Sequence, residues 1–367
     1  LYPSAKVLAA TKRDFEKENR KRLMARIATG DWDAVIVAHS SFERIGVDPE
    51  FETRFIANQV EDLETSISDL RKATGQKSRN VSQLTKWRDN LKAKLERLLD
   101  AGRKDDGMYF DETGVDALFV DEEHEFKNLA YSTSMTRVAG LGNPSGSMKA
   151  SDLFMKSRYV LERGGRFVSL TGTPISNTMA EMYTQMRYHD EKTLRAMGIS
   201  HFDAWARVFG EVVTDWELSP SGQYKLNSRF AKFVNVPELM SRYLSFADVI
   251  SNDDIKAQLA AIGQKLPLPK VKGGKPTNVV VERSPDQAAF IGVGQPDSNG
   301  NMQFPQGSLV YRAEHLPPKV EKGGDNMLKV MSDARKAALD MRLIDQSYGD
   351  YALSKVNRAA DEMVRIY

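Results

Sequence analysis

Four short apolar runs punctuate the first half of the chain, each ending in polar residues: Val7-Leu8-Ala9-Ala10, Ala34-Val35-Ile36-Val37-Ala38, Ala117-Leu118-Phe119-Val120 and Phe167-Val168-Ser169-Leu170. Runs of this length, separated by helical stretches, predict strands of a parallel sheet covered by helices on both faces. The expected fold class is therefore α/β. In such sheets ligands sit beyond the carboxyl ends of the strands. The residues to inspect are Ala10-Thr11-Lys12, His39-Ser40-Ser41, the run from Asp121, and Thr171-Gly172-Thr173.

Between the second and third runs the pattern changes period. Ile56, Val60, Leu63, Ile67 and Leu70 alternate steps of four and three, and Leu84, Trp87, Leu91, Leu95 and Leu98 repeat the idea. Two such heptad-like helices joined around Gly75-Gln76-Lys77-Ser78 predict an antiparallel helical hairpin over 51–106, projecting from the α/β domain of 1–50 and 107–215. It reads as a structural spur or partner-docking arm, or as a direct part of the chemistry. Further on, Thr178-Met179-Ala180-Glu181 has capping-box spacing, and Met179, Met182, Tyr183 and Met186 share a helical face that reads as core packing. Phe202, Trp205 and Phe209 form a second such face, and Ser219-Pro220-Ser221-Gly222 predicts a turn between two strands. A helical and hairpin subdomain is expected over 216–275. The stretch 276–367 would contain a mobile loop at 292–324, rich in Gly, Pro, Asn and Gln, and a last amphipathic helix from Met327 to Ile344.

Composition changes this picture little. A length of 367 residues fits one to three domains, and 52 basic against 50 acidic residues leave any basic surface to be local. Cysteine is absent, which excludes disulfides and thiolate metal sites. No apolar run approaches the ~18 residues of a bilayer span, so a soluble, cytoplasmic protein is expected. The start Leu1-Tyr2-Pro3 suggests a piece of something longer.

The chemistry concentrates at two strand ends. Asp121 and Glu122 are carboxylates at the rim of an apolar strand, the arrangement that magnesium-assisted phosphoryl transfer to water requires. Asp121 is assigned to the hydrated metal and Glu122 to the attacking water, with His124 placed to relay the state of the phosphate site. The ordinary alternative is a strand ending in solvated acids. A further alternative is a metal-dependent hydrolase built directly on Asp121, Glu122, Glu123 and His124. In the second run, hydroxyls of Thr171 and Thr173 could reach the carboxylate and histidine across adjacent strand ends, Gly172 would permit close backbone approach, and Pro174 would fix the exit direction. A plain strand-to-helix turn would look similar.

Taken together, Asp121-Glu122-Glu123-His124 and Leu170-Thr171-Gly172-Thr173-Pro174-Ile175-Ser176-Asn177 resemble motifs II and III of superfamily 2 helicases, the second run being most similar to the Swi/Snf-type double-strand translocases. Tyr2-Pro3 with the Val7 strand, Val37 to Phe42, and Leu266-Pro267, Val279 to Glu282 and Gln287 resemble flanking regions of the same family. The likeness extends to the very large helicase proteins of phages and mobile elements, often found with adenine methyltransferase domains. The resemblance implies a first RecA-like motor lobe, a second lobe beginning within 276–367, ATP and magnesium as cofactors held at Asp121 and Glu122, and duplex DNA as partner. It places His39 and Ser40 at the DNA backbone. Lys149, with Lys156 and Arg158, is a further phosphate-contact candidate, ordinary helix solvation being the alternative. One departure is clear, because the chain carries no G-x-x-x-x-G-K-[ST] phosphate loop. Gly142 to Lys149 has the wrong spacing, and Gly273-Gly274-Lys275-Pro276 puts proline where Ser or Thr belongs. This chain alone is therefore expected to bind nucleotide feebly. A rival reading is a non-catalytic scaffold that docks partners through the hairpin.

Overall fold

The computed structural model describes residues 2–74, 79–101, 109–135, 138–218, 224–265, 267, 272–298, 300, 302–317 and 324–366. The expected turns at Gly75–Ser78 and Ser219–Gly222, and Leu266, lie outside these residues. The chain divides into two compact units, Leu1–Asp215 with Asn227–Val249, and Trp216–Leu226 with Ile250–Tyr367. The stretch 216–275 is thus not one subdomain. Residues 227–249 belong with the first unit because Phe230 and Leu239 are buried in its core.

In the first unit, β1 (Val7–Ala9) leads through α1 (Lys17–Thr29) to β2 (Ala34–Ile36), the short α2 (His39–Phe42), α3 (Pro49–Thr74) and α4 (Arg79–Ala101). Then come β3 (Ala117–Val120), β4 (Val138–Ala139), α5 (Met148–Glu162), β5 (Arg166–Ser169), α6 (Ala180–Ala196), α7 (Phe202–Phe209), β6 (Gly210–Leu218) and β7 (Tyr224–Phe233), of which 216–218 and 224–226 are counted with the second unit, and α8 (Val236–Phe246). The apolar runs form two parallel ladders, β1 with β2 and β3 with β5, the latter in register Val120 to Ser169. β4 pairs parallel with β7, which neighbours β6.

Each ladder buries alternate residues, as the period of a strand requires. Leu8 joins Phe15, Leu23, Met24 and Tyr159 in one core, while Val120 and Phe167 join Phe126, Phe154 and Tyr188 in another. The opposite face is expected to be covered too, and among the described residues it is not. Ile36 is 59% and Phe119 67% exposed, and Val7, Val168 and Leu170 are exposed with them. Apolar composition marks a strand as able to take a layer on each side, but whether a layer is there depends on residues far along the chain. A third core packs Met186 of α6 against Phe202, Trp205 and Phe209 of α7, and the methionines indeed serve as packing.

The heptad positions of α3 and α4 meet one another as their spacing predicts: Leu63, Ile67 and Leu70 pack on Val81 and Leu84, with Trp87 and Leu91 partly buried beside them. The base of the hairpin packs on α5 through Phe51 against Tyr159 and Phe55 against Phe154, and further along Ser132 Oγ lies 3.1 Å from Ser66 Oγ.

The second unit contains α9 (Asn252–Ala261), α10 (Pro285–Ile291), β8 (Gln295–Pro296) pairing antiparallel with β9 (Met302–Gln303), α11 (Leu309–Glu314), α12 (Met327–Leu339) and α13 (Lys355–Ile366). The expected featureless loop at 292–324 therefore carries folded elements. Its Ser308 caps α11 by accepting from Tyr311 N, and Arg312 forks onto Asp325 at 2.7 and 2.8 Å and reaches Asp333 at 2.8 Å. The amphipathic helix expected from Met327 to Ile344 stops at Leu339, because Asp340 turns extended and caps a 3-10 turn at Met341–Leu343 by accepting from Arg342 N, and it is not the last helix, since α13 follows it. Ser284 and Gln287 form a capping box on α10, and Gln287 Nε2 also donates to Ala337 O at 2.6 Å, tying α10 to α12.

Candidate functional site

The register of β3 on β5 sets the two motifs side by side. Beyond the last paired residues, Leu170 N donates to Val120 O at 2.8 Å and Glu123 N donates to Leu170 O at 2.9 Å, so the chain leaving β3 is fastened to the chain leaving β5. This crossing requires a sharp reversal at Glu122, which adopts φ 51°, ψ 51°. A non-glycine residue in that left-handed region costs on the order of 1 kcal/mol and persists only where its surroundings enforce it. Here Asp121 Oδ1 accepts the Glu122 N–H at 3.0 Å.

Asp121 and Glu122 both present exposed carboxylates. His124 Nδ1 lies 3.1 Å from Glu122 Oε2 and 3.4 Å from Thr171 Oγ1, so the structure brings Glu122, His124 and Thr171 together. Thr173 joins differently from expectation. It donates its backbone N–H to Thr171 Oγ1 at 3.1 Å, and its hydroxyl has no described bond to the carboxylate or the histidine. Gly172 is not required by close approach either, since a Cβ there would meet no atom of this chain within 4 Å.

The third acid behaves unlike its neighbours. Glu123 is 1% exposed, its Oε2 accepts from Gln185 Nε2 at 3.0 Å, and its Oε1 is buried without a hydrogen-bond partner. Burial, and secondarily the charge of Glu181, pushes its pKa up to about 7. Nothing in an acidic run distinguishes a buried member from solvated ones, and the sequence offered this residue only as one acid of a metal-hydrolase cluster. The same Gln185 nitrogen donates to Pro174 O at 3.0 Å.

Glu181 is a second residue whose role was missed. Its capping-box spacing is only half realised: its carboxylate accepts the Thr178 N–H at 3.3 Å, with no reciprocal side-chain cap at the start of α6. It also accepts from Ser176 N at 2.6 Å and Asn177 N at 3.2 Å and pairs with Lys127 at 3.3 Å. Burial pulls its pKa upward, but those backbone donors and the Lys127 ammonium outweigh it and hold the carboxyl below its ordinary value. Lys127 also bonds Ser176 Oγ.

The nucleic-acid candidates divide. His39 opens α2 with its ring edge-on to Phe126, centroids 4.9 Å apart, and Lys149 Nζ lies 4.6 Å over the same ring while pairing with Glu125 at 3.0 Å. The two thus meet on the residue two places beyond His124, and Ser40 is exposed beside His39. Lys156 and Arg158 are neither solvated nor offered to phosphates. Lys156 is wholly buried, its ammonium donating to Phe42 O at 2.9 Å and Asp152 at 2.7 Å, and Arg158 pairs with Glu191 at 3.2 Å and bonds Tyr188 O. Burial lowers the pKa of Lys156 despite its carboxylate partner. In the same region His189 is stacked between Phe167 and Phe246, 2.8 Å from Ser169 Oγ, and burial with the nearby Arg158 charge lowers its pKa to about 4.

Among the described residues, no group of three or more His, Asp or Glu side chains lies close enough to hold a metal by itself, and no helix is long and apolar enough to cross a membrane.

Comparisons with known proteins bear on the chain as a whole. "Defense against restriction protein B" of Escherichia phage P1 is 26% identical over 152 residues, 40% of this chain. The chain spans only about 7% of that relative's length. No solved structure matches the chain. A family model described as "Probable helicase domain" matches residues 1–250, and with that coverage the chain belongs to the probable helicase domain family.

Proposed function

We propose that this chain forms part of a DNA-dependent ATP hydrolase of the superfamily 2, Swi/Snf-like kind, and that its parallel ladders belong to a first RecA-like motor lobe. The observation that carries the reading is the meeting of Glu122, His124 and Thr171 beyond two adjacent parallel strands. Family membership supports a helicase-related role.

The exposed pair of carboxylates suits magnesium chemistry. Asp121 would hold the hydrated ion, which dehydrates reluctantly and needs few protein ligands, and Glu122 would orient and deprotonate the attacking water. The bound ion would neutralise charge developing on the phosphates. A self-contained metal hydrolase finds less support, because Glu123 is turned into the core and, among the described residues, no three-ligand group surrounds Asp121. With no phosphate loop in the sequence, nucleotide binding is assigned to a longer polypeptide that includes this chain. DNA, in duplex form, is the proposed partner, with the surface around His39, Ser40 and Lys149 as the proposed contact. The phage relative's name ties that protein to defence against restriction, and action on DNA in a phage or mobile-element setting, alongside a methyltransferase domain, is the context proposed here. The cytoplasm is the proposed location.

The test is ATP hydrolysis by the longer polypeptide with and without duplex DNA. Hydrolysis that rises with DNA supports the reading; its absence under both conditions would favour a scaffold that docks partners through α3 and α4.

A further inference from the structure

We propose that Gln185 is a positioning residue that clamps the Asp121–His124 run to the Thr171–Pro174 run, so that Glu122 and Thr171 keep their register as one body. The proposal deepens the hydrolase reading and rests on it for its consequence in turnover.

The geometry points to a closed ring of contacts. Glu123 holds the second run at two places. Its backbone N–H holds Leu170 O directly, and its carboxylate holds Pro174 O through the Gln185 amide. The segment Thr171-Gly172-Thr173 hangs between these two anchors. Both anchors refer back to the residue adjoining Glu122.

One nitrogen with two hydrogens is what this bridge needs, because both acceptors are oxygens on separate chain segments. Leucine would fill the space and donate nothing. Glutamate would bring a third carboxyl beside Glu123 and Glu181. The bridge is also shielded, since Gln185 is 6% and Glu123 1% exposed. In such surroundings a hydrogen bond is strong, and removing one partner leaves the other unsatisfied. Glu123 has no second tie to fall back on, because its other carboxylate oxygen already lacks a partner.

The experiment compares Gln185→Leu and the double variant Glu123→Leu/Gln185→Leu with the natural sequence. Amide hydrogen exchange is followed in the 367-residue chain, and ATP hydrolysis in the longer polypeptide. In Gln185→Leu, exchange in 121–127 and 170–178 should accelerate together by about tenfold while α7 stays unchanged. The kcat for ATP should fall by roughly tenfold or more with KM within about twofold. In the double variant the buried carboxyl is gone and only the part-buried Pro174 carbonyl lacks its donor, so thermal stability should largely return while protection of 170–178 and kcat do not. Acceleration in only one run, acceleration spread evenly over the chain, or a double variant with restored kcat would each overturn the clamp. If exchange responds as expected but the natural longer protein hydrolyses no ATP, the hydrolase reading fails and the clamp stands.

Discussion

The Nδ1 atom of His124 stands 3.1 Å from Glu122 Oε2, so the last member of the acid run braces the second. The same nitrogen is 3.4 Å from Thr171 Oγ1, which makes the imidazole the shared neighbour of both motifs. Replacing it removes a lateral restraint from a carboxylate already held in a costly backbone conformation. His124→Ala in the longer polypeptide should lower the rate of ATP hydrolysis by about tenfold to a hundredfold, the scale of a misplaced catalytic group, with little change in nucleotide affinity. Steady-state kinetics with a parallel binding titration checks both halves.

His189 makes stability depend on pH. Its pKa is near 4 in the folded chain against an ordinary 6.5, so the neutral ring is favoured on folding. Its contribution is complete above pH 6.5 and is lost as pH falls through about 4, amounting to on the order of 3 kcal/mol. Glu123 works in the opposite sense. Held at about 7 against an ordinary 4.5, it contributes fully below pH 4.5 and that contribution is lost as pH climbs through 7. The two partly cancel between these limits, so the informative quantity is a difference. The stability gap between the natural chain and His189→Gln, from urea midpoints, should shrink as pH falls from 7.5 to 4.

Lys156 is a structural cation. Its ammonium is sealed between Asp152 and the Phe42 carbonyl, 4.3 Å over the Phe42 ring. Lys156→Met leaves Asp152 without its partner in a largely enclosed place and should cost about 3 kcal/mol in denaturant unfolding, with Asp152→Leu/Lys156→Met recovering most of it. Lys149→Ala should instead leave stability nearly unchanged and lower the salt dependence of DNA binding by the longer protein by about one phosphate contact.

The hairpin has a small core of its own, in which Ile67 is 2% exposed. Ile67→Ala should destabilise it by about 2–4 kcal/mol. Hydrogen exchange should show α3 and α4 opening while α6 and α7 keep their protection.

These outcomes separate what the amino-acid order reveals from what it hides. The strand end at Val120 was legible because the apolar run stops where polar residues begin, the run through Leu170 overshot the end of β5 by one residue, and the hairpin was legible because the period of Leu63, Ile67 and Leu70 is local. The burial of Glu123 was not legible. It depends on Gln185, 62 residues away, and an acid among acids gives no local sign of it. Lys156 was misread for the same reason, since its helical neighbours gave no hint that Phe42, 114 residues earlier, closes over it. Phe119 erred in the other direction, an apolar residue whose face of the ladder has no layer upon it among the described residues. Side-chain burial is a property of tertiary neighbours, and local pattern fixes only which face a residue takes.

The central claim is that Glu122 activates water at a magnesium-bound phosphate. Its most direct test is DNA-stimulated ATP hydrolysis by the longer polypeptide carrying Glu122→Gln, which preserves shape and removes the base. The predicted result is unchanged ATP binding with turnover reduced by roughly 10²–10⁴-fold; turnover near that of the natural protein would contradict the claim.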